Sequence, residues 1–409
     1  MEHGYDRERI DALREPAVQK TVNYREFILH FYRDLMASYW QKPFVLRYAD
    51  ALYASFDRTE PVIGEGELIV GRIADREFSK EEEADWEKIQ KYAMAAGPSP
   101  FGQDSHMTVD YERLLEKGTS GIRREIAEMR ENLDLTLPED LEKDLFYASC
   151  QRCLEGVERF AQRYSQYAAG LAKQCADPGR KKELLRISEI CAHVPKKPAR
   201  DFYEAVQSVH FLTFCLSNKP LKPTSPQYQL GRPDRYFWPF YQRDMEAGRI
   251  TEEEAQTLLD CLAIQINHRV PHGLSSGYMV GGRDAEGRVV SNDLTRMLMR
   301  VVEQVRLVYP SVGLCWCRDT PAEDLETAAK IIGKGHSHPA IFNDEVITEG
   351  LKRLGLPPEE ACSYIHSTCV EITPIAASNV WVASPYMNLV QKLLDVLDRE
   401  YSSMEELFD

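Results

Sequence analysis

Cys369 and Glu371 stand two positions apart in residues 367–374, a short segment rich in β-branched side chains. In an extended chain, residues i and i+2 face the same side, so this thiol and this carboxylate would share one cavity. A sulfur atom that abstracts hydrogen and a carboxylate that accepts a proton would then act on one substrate. The alternative is a buried cysteine on a strand beside a solvated glutamate, because free cysteine is among the most buried residue types. Both interpretations remain open on this segment alone.

The overall composition is that of a soluble globular protein. The chain has 409 residues, of which 43% are hydrophobic and 28% are charged, enough for one large domain or two to three smaller ones. Its net charge of −15 argues against a nucleic-acid partner, since phosphate binding needs clustered Lys and Arg. The N-terminal residues are charged and have no apolar core, and no apolar stretch is long enough to cross a bilayer. We therefore expect a cytoplasmic protein with no membrane partner.

The ten cysteines are scattered along the chain, which is typical of a reduced compartment. Cys150 and Cys153 form a Cys-x-x-Cys pair, but it falls in a helical pattern and has no second pair at zinc spacing. His336 and His338 likewise lack a third ligand at a sensible spacing. We expect no metal and no redox motif at either place.

The apolar periodicity predicts a helical first third and a mixed remainder. Helices are expected at 22–40, 139–176 and 344–354, with capping boxes opening two more at Thr251 and Thr320. Strands are expected at 68–70, 279–280 and 308–317. Strands inside and helices outside make a mixed α/β class the best prediction.

Several further segments become informative only when they are taken together. They are residues 65–71 (EGELIVG), 106–125 (HMTVDYERLLEKGTSGIRRE), 231–234 followed by 239–241 and 244–254, 281–284 with 292–294, 335–344 (GHSHPAIFND), and Cys-Val-Glu at 369–371. In their order and spacing, these segments resemble the glycyl radical enzymes, the pyruvate formate-lyase-like family. The resemblance extends nearly end to end.

The resemblance implies an α/β fold: a ten-stranded barrel of two antiparallel five-stranded half-barrels surrounded by helices. Residues 1–409 would be the N-terminal and central part of it, with a helical region at 1–200 and the barrel with its cysteine finger loop at 201–409. In the family a second loop, near the C-terminus, carries the glycine that stores the radical. None of the 23 glycines has that context, so we expect the C-terminal glycyl radical segment to be absent and the chain to be inactive without it. Thr368 also departs from the glycine usual before the cysteine.

The resemblance also implies roles for six residues. Cys369 would abstract hydrogen, and Glu371 would accept the substrate's hydroxyl proton. His106 would assist the leaving hydroxide, although a surface or helix-cap histidine is the alternative. The residues expected to bind substrate are Asp110, one helical turn beyond His106, together with Ser276 and Tyr386. Core packing is the alternative for Tyr386. Asp234 is expected in a structural network around Arg232 rather than in the chemistry.

The function that this resemblance implies is a glycyl radical lyase. The Cys-x-Glu spacing separates the chain from true pyruvate formate-lyases and indicates an eliminase. His106 favours dehydration of a small hydroxylated substrate such as a diol or a hydroxyproline-like compound. Cleavage of C–N, C–S or C–C bonds is an alternative. A catalytically silent scaffold subunit and a thiol-dependent hydrolase are two further alternatives.

No cofactor is expected in this chain itself. The glycyl radical would be installed by an activating enzyme that uses S-adenosylmethionine and an iron–sulfur cluster. The other expected partners are the small-molecule substrate, the C-terminal glycyl radical segment and a second copy of the complete protein in a homodimer.

Overall fold

The computed structural model describes residues 5–19, 25–38, 42–74, 76–95, 108–218, 228–269, 276–366, 372–377, 389–398, 401 and 403. Within them, eleven helices precede the first strand: α1 (Arg7–Gln19), α2 (Arg25–Ala37), α3 (Phe44–Arg58), α4 (Lys80–Ala95), α5 (Tyr111–Glu131), α6 (Pro138–Gln174), α7 (Pro178–His193), α8 (Phe202–Ser217), α9 (Pro233–Tyr236), α10 (Trp238–Glu246) and α11 (Glu252–Arg269). The remaining elements alternate: β1 (Gly277–Gly281), α12 (Asp293–Val305), β2 (Ser311–Trp316), α13 (Ala322–Gly333), β3 (Ala340–Asn343), α14 (Asp344–Arg353), α15 (Pro358–Ala361), β4 (Tyr364–His366), β5 (Ile372–Pro374) and α16 (Leu389–Leu397).

The described strands form two sheets. Strands β1, β2 and β3 lie in that order and are parallel, with Gly277 opposite Ser311 and Gly313 opposite Ala340. Helices α12 and α13 make the two crossovers, as parallel neighbours require. Strands β4 and β5 form a separate antiparallel pair in which His366 faces Ile372. The described part of the chain is thus a helix-rich α/β fold, and the ten-stranded barrel stays a prediction.

Two large apolar cores hold most of the described helices, and a small third one holds α14 and α15. One lies between α8, α11, α12 and the parallel sheet, and the other lies between α2, α3, α6 and α8. Phe160 of α6 is fully buried in the second core, with its ring about 5.7 Å from those of Phe56 and Phe214. The 3.6-residue apolar period of α6 creates this packing face. The predictions of helices at 139–176 and 344–354 are confirmed by α6 and α14.

The strand expected at 68–70 is wrong. The backbone N–H of Val70 donates to Oε1 of Gln207 over 2.9 Å, and the Gln207 amide donates back to the Val70 carbonyl over 2.7 Å. Gln265 donates to the carbonyl of Ile69 in the same way over 2.8 Å. Two glutamine side chains therefore take the hydrogen bonds that a neighbouring strand would otherwise supply.

The two predicted capping boxes have different outcomes. Thr251 and Glu254 form the expected reciprocal pair of hydrogen bonds, at 3.2 and 2.9 Å. The box at Thr320 is wrong, since α13 begins after Pro321 without a side-chain cap. The Thr320 hydroxyl instead accepts the N–H of Cys317 over 2.9 Å and so closes the turn after β2.

Candidate active site

The short hairpin of β4 and β5 flanks the segment that carries Cys369 and Glu371. Both of these residues lie outside the described residues, as do His106 and Tyr386, so their roles stay predictions. The chain enters the segment at His366 and leaves it at Ile372, and these two residues are paired across the hairpin. The two residues that flank the five-residue segment 367–371 therefore lie beside each other.

Strand β4 lies against β1 and runs in the opposite direction. At its start, the guanidinium of Arg232 bridges the carbonyl of Tyr364, at 3.2 Å, to the carbonyl of Gly281 at the end of β1, at 2.5 Å. At its end, the backbone N–H of His366 donates to Sδ of Met279, in the middle of β1, over 3.1 Å. Strand β4 therefore points toward the end of the parallel sheet where β1 begins.

Ser276 lies at that same end of the sheet, immediately before β1, and is fully buried. Its hydroxyl donates to the carbonyl of Tyr228 over 2.8 Å, and its carbonyl accepts the N–H of Ser311 over 3.0 Å. The next residue, Gly277, donates its N–H to Oε1 of Gln229 over 2.7 Å. These contacts join the start of β1 to β2 and to residues 228–229, and the substrate role of Ser276 stays a prediction.

Thr108 joins the region of His106 to the hairpin that carries the cysteine segment. Its hydroxyl donates to the carbonyl of Gln229 over 2.8 Å. Its carbonyl accepts the N–H of Ala376, two residues beyond β5, over 3.3 Å. The chain two residues after His106 is thus held beside the chain five residues after Glu371.

Asp110 is exposed and serves as the N-cap of α5, where its side chain accepts the N–H of Arg113 over 2.9 Å. Helix α5 begins only at Tyr111, and residues 108–110 are not helical. The helical turn on which Asp110 was expected to follow His106 is therefore not present at 108–110. The role of Asp110 in substrate binding stays a prediction.

A buried network of charged and polar side chains holds the start of the hairpin against β1 and α14. Oδ2 of Asp234 accepts the N–H of Gly281 at 2.7 Å and the hydroxyl of Thr295 at 3.0 Å. The Tyr364 phenol donates to Oδ1 of Asp344 over 2.8 Å. Burial raises the pKa of Asp234 above its ordinary value, although the nearby Arg232 opposes this. Asp234 lies in a buried network beside Arg232, as expected, and the absence of a chemical role for it stays a prediction.

Sequence reasoning did not find the residues that seat the hairpin. The imidazole of His366 is buried and stacks on the ring of Phe342, with centroids 4.7 Å apart and planes 9° from parallel. Its edge lies over Gly313 of β2. The only sequence signal was the position of His366 three residues before Cys369, since Gly313 and Phe342 are distant in the chain.

The other candidate motifs hold ordinary structural positions. Cys150 and Cys153 are free thiols on α6, and burial raises the pKa of Cys153 to about 12. Burial lowers the pKa of His338, which with His336 lines a cavity of about 450 Å³ beside α12. The described ranges contain no group of three side chains suited to a metal ion. They also contain no helix that is long and apolar enough to cross a membrane.

Comparison with known proteins identifies the family. The profile described as "PFL-like: Pyruvate formate lyase-like" matches residues 79–406. The chain belongs to the pyruvate formate lyase-like family. Within it, the chain is 34% identical over 313 residues to the isethionate sulfite-lyase of Oleidesulfovibrio alaskensis, a match that covers 73% of this chain and 38% of that enzyme.

Two further pyruvate formate lyase-like relatives extend the comparison. The (2S)-3-sulfopropanediol dehydratase of Klebsiella oxytoca is 27% identical over 317 residues, covering 74% of this chain and 38% of that enzyme. The crystal structure of a glycyl radical enzyme from Archaeoglobus fulgidus matches with a TM-score of 0.78 at 26% identity, covering 91% of this chain and 56% of that one. The matched part of the chain therefore spans less than two fifths of the length of the two curated relatives.

Proposed function

We propose that this chain supplies the hydrogen-abstracting cysteine of a glycyl radical lyase, which eliminates water from a small hydroxylated substrate. The observation that carries the proposal is the contact between Thr108 and Ala376. It holds the chain next to His106 against the hairpin whose ends fix the segment of Cys369 and Glu371. Thr108 thus contacts the chain just after β5, and Gln229 joins it to the start of β1.

The surroundings of the hairpin support radical chemistry. Tyr364 and Ile365 are fully buried, and His366 and Thr373 are nearly so. A buried support keeps water away from a reactive intermediate, which prevents side reactions. Hydrogen-atom transfer by Cys369 requires no thiolate, whereas nucleophilic attack requires one, and a thiol shielded from water has little thiolate character. These features favour a radical lyase over a thiol-dependent hydrolase.

In the proposed reaction, a radical passed from the glycine of the partner segment leaves Cys369 as a thiyl radical. Cys369 then takes a hydrogen atom from the substrate carbon that bears the hydroxyl, so that an S–H bond forms as the C–H bond breaks. Glu371 accepts the hydroxyl proton, which has become much more acidic. The adjacent C–O bond breaks, and His106 donates a proton to the departing hydroxide. The product radical recovers a hydrogen atom from the Cys369 thiol.

A second candidate is elimination of sulfite instead of water. The specific observation in its favour is that the similarity to isethionate sulfite-lyase, at 34% identity, exceeds the similarity to the sulfopropanediol dehydratase, at 27%. The same three residues would serve both reactions, because the leaving group lies on the carbon next to the hydroxyl in each. Only the group that leaves distinguishes them.

The test is to activate the protein anaerobically with its glycine-bearing segment and then assay products. We expect a carbon-centred glycyl doublet by electron paramagnetic resonance, and an aldehyde from a small diol without release of sulfite. Free sulfite from isethionate, with no product from any diol, would replace the first candidate with the second.

Cys369→Ser should abolish turnover of either substrate. Cys175→Ser, at a half-exposed cysteine outside the site, is the matched control and should keep it. Full turnover by Cys369→Ser would exclude both candidates.

A further inference from the structure

His366 occupies a seat built from three strands of the parallel sheet. Its ring stacks on Phe342 of β3, its edge rests over Gly313 of β2, and its backbone N–H donates to Met279 of β1. The two ring centroids are 4.7 Å apart, and the ring itself is buried. One residue of β4 therefore contacts all three parallel strands, immediately before the segment that carries Cys369.

The seat requires the absence of a side chain at position 313. A Cβ atom there would lie 2.8 Å from Cδ2 and 2.9 Å from Nε2 of His366, and 3.1 Å from the Phe342 ring. Carbon atoms essentially never approach so closely, and the imidazole cannot retreat without losing its stack on Phe342. Any side chain larger than hydrogen at 313 would push His366 away from the sheet.

We propose that Gly313 and His366 are positioning residues for the thiol of Cys369. This inference depends on the proposed function, because the position of the hairpin on the sheet matters for activity only if Cys369 is the reacting thiol. The hairpin has only three residue pairs. Arg232 and Asp344 hold its start at Tyr364, and the seat of His366 holds the end of β4, immediately before segment 367–371. Hydrogen transfer needs the reacting atoms in near-contact, and a displacement of about 1 Å can cost on the order of 100-fold in rate.

The main experiment is Gly313→Ala in the activated enzyme. We expect kcat to fall by about tenfold or more with KM nearly unchanged, because the thiol moves and the substrate pocket does not. The glycyl radical signal should keep its wild-type intensity. The matched control is Gly170→Ala on α6, where nothing lies within 4 Å of the added atom. Gly170→Ala should leave kcat unchanged, and a wild-type kcat for Gly313→Ala would overturn the inference.

A second measurement needs no radical and therefore separates this inference from the proposed function. The labelling rate of Cys369 by a neutral disulfide reagent is followed by mass spectrometry, with Cys175 as the internal reference. The seat predicts that Phe342→Leu, which removes the stack but keeps an apolar residue, raises labelling of Cys369 severalfold relative to Cys175. Phe342 is only half-buried, so this variant is expected to fold even where Gly313→Ala does not. An unchanged ratio would overturn the inference even in an active lyase. If the ratio rises but the activated protein forms no elimination product, only the proposed function is rejected.

Discussion

The phenol of Tyr5 donates a hydrogen bond of 2.8 Å to Oδ2 of Asp260, and so ties the start of the chain to the middle of α11. Asp260 is fully buried, and its Oδ1 accepts the side-chain amide of Gln256 over 3.1 Å. Burial raises the pKa of Asp260 from 3.8 to about 7, although the hydrogen bonds from Tyr5 and Gln256 and the charges of Arg7 and Arg300 oppose the shift. A buried carboxyl group thus titrates near neutral pH, between α1 and α11.

Stability should therefore fall as pH rises through the range in which Asp260 ionises. The folded state binds the proton of Asp260 more tightly than the unfolded chain does. The protonated carboxyl therefore contributes fully to the free energy of unfolding below about pH 4, and this contribution is lost as pH rises to about 7. The shift of roughly three pKa units corresponds to at most about 4 kcal/mol. Asp260→Asn stays neutral and should lack the part of the loss that comes from Asp260. Urea unfolding of both proteins at several pH values between about 4 and 8 measures the difference.

The difference between the two proteins separates Asp260 from the other titrating groups, which are common to both. If the free energy of unfolding of the wild type and of Asp260→Asn changes in parallel with pH, Asp260 does not titrate in this range. Tyr5→Phe is the companion variant. It removes one donor to the carboxylate and should raise the pKa of Asp260 further, so that the loss of stability extends to higher pH.

The Cys-x-x-Cys pair on α6 should be unreactive at neutral pH. Burial raises the pKa of both Cys150 and Cys153, the latter to about 12, and only the thiolate reacts quickly. Iodoacetamide labelling near pH 7, followed by peptide mass spectrometry, should modify Cys175 before Cys150 and Cys150 before Cys153. Labelling of Cys153 should accelerate as pH rises. Oxidation of the pair to a disulfide by mild oxidant, ahead of Cys175 modification, would show that the pair is redox-active after all.

Local patterns in the sequence were sufficient to predict the elements whose stability is local. The apolar period of α6 and the capping box at Thr251 depend on residues three and four apart, and both are confirmed. The strand predicted at 68–70 failed because its hydrogen bonds go to Gln207, which is 137 positions away. No local pattern reveals such a partner.

The same distinction applies to the candidate site. The Cys-x-Glu spacing was visible because both residues lie in one short segment, and the network of Arg232 and Asp234 lies within one motif. The seat of His366 was not visible, since Gly313 and Phe342 come next to it only when three strands pair. Residues that react can be read from a motif, whereas residues that hold them in place depend on the fold.

Substitution of Gln207 should therefore lower the free energy of unfolding more than substitution of most other polar residues in the described structure. Gln207→Leu keeps the volume but leaves the buried N–H and C=O of Val70 without the partners at 2.9 and 2.7 Å. We expect a loss of about 2–4 kcal/mol in the free energy of unfolding, from one to three for each orphaned group partly offset by the added apolar surface. Gln242→Leu is the control, because Gln242 is exposed and should change stability by about 0.5 kcal/mol or less. A loss below about 1 kcal/mol for Gln207→Leu would mean that water replaces the amide.

Gly118 interrupts α5, and this break should not tolerate a side chain. Its φ of 61° lies in the left-handed region, and an added Cβ would lie 2.4 Å from the carbonyl oxygen of Lys196. The break lets the next two N–H groups, of Thr119 and Ser120, donate at 2.9 and 3.0 Å to the carbonyls of Pro195 and Lys196 in the segment after α7.

Gly118→Ala should consequently destabilise the protein by about 3 kcal/mol or more, since backbone strain and a backbone clash add together. Gly170→Ala makes the same chemical change in the regular helix α6, in open space, and should stabilise by about 0.5–1 kcal/mol. Thermal and urea unfolding of the two variants should move in opposite directions from the wild type. If Gly118→Ala unfolds within about 1 kcal/mol of the wild type, the segment after α7 can shift away from α5, and the break is not required by packing.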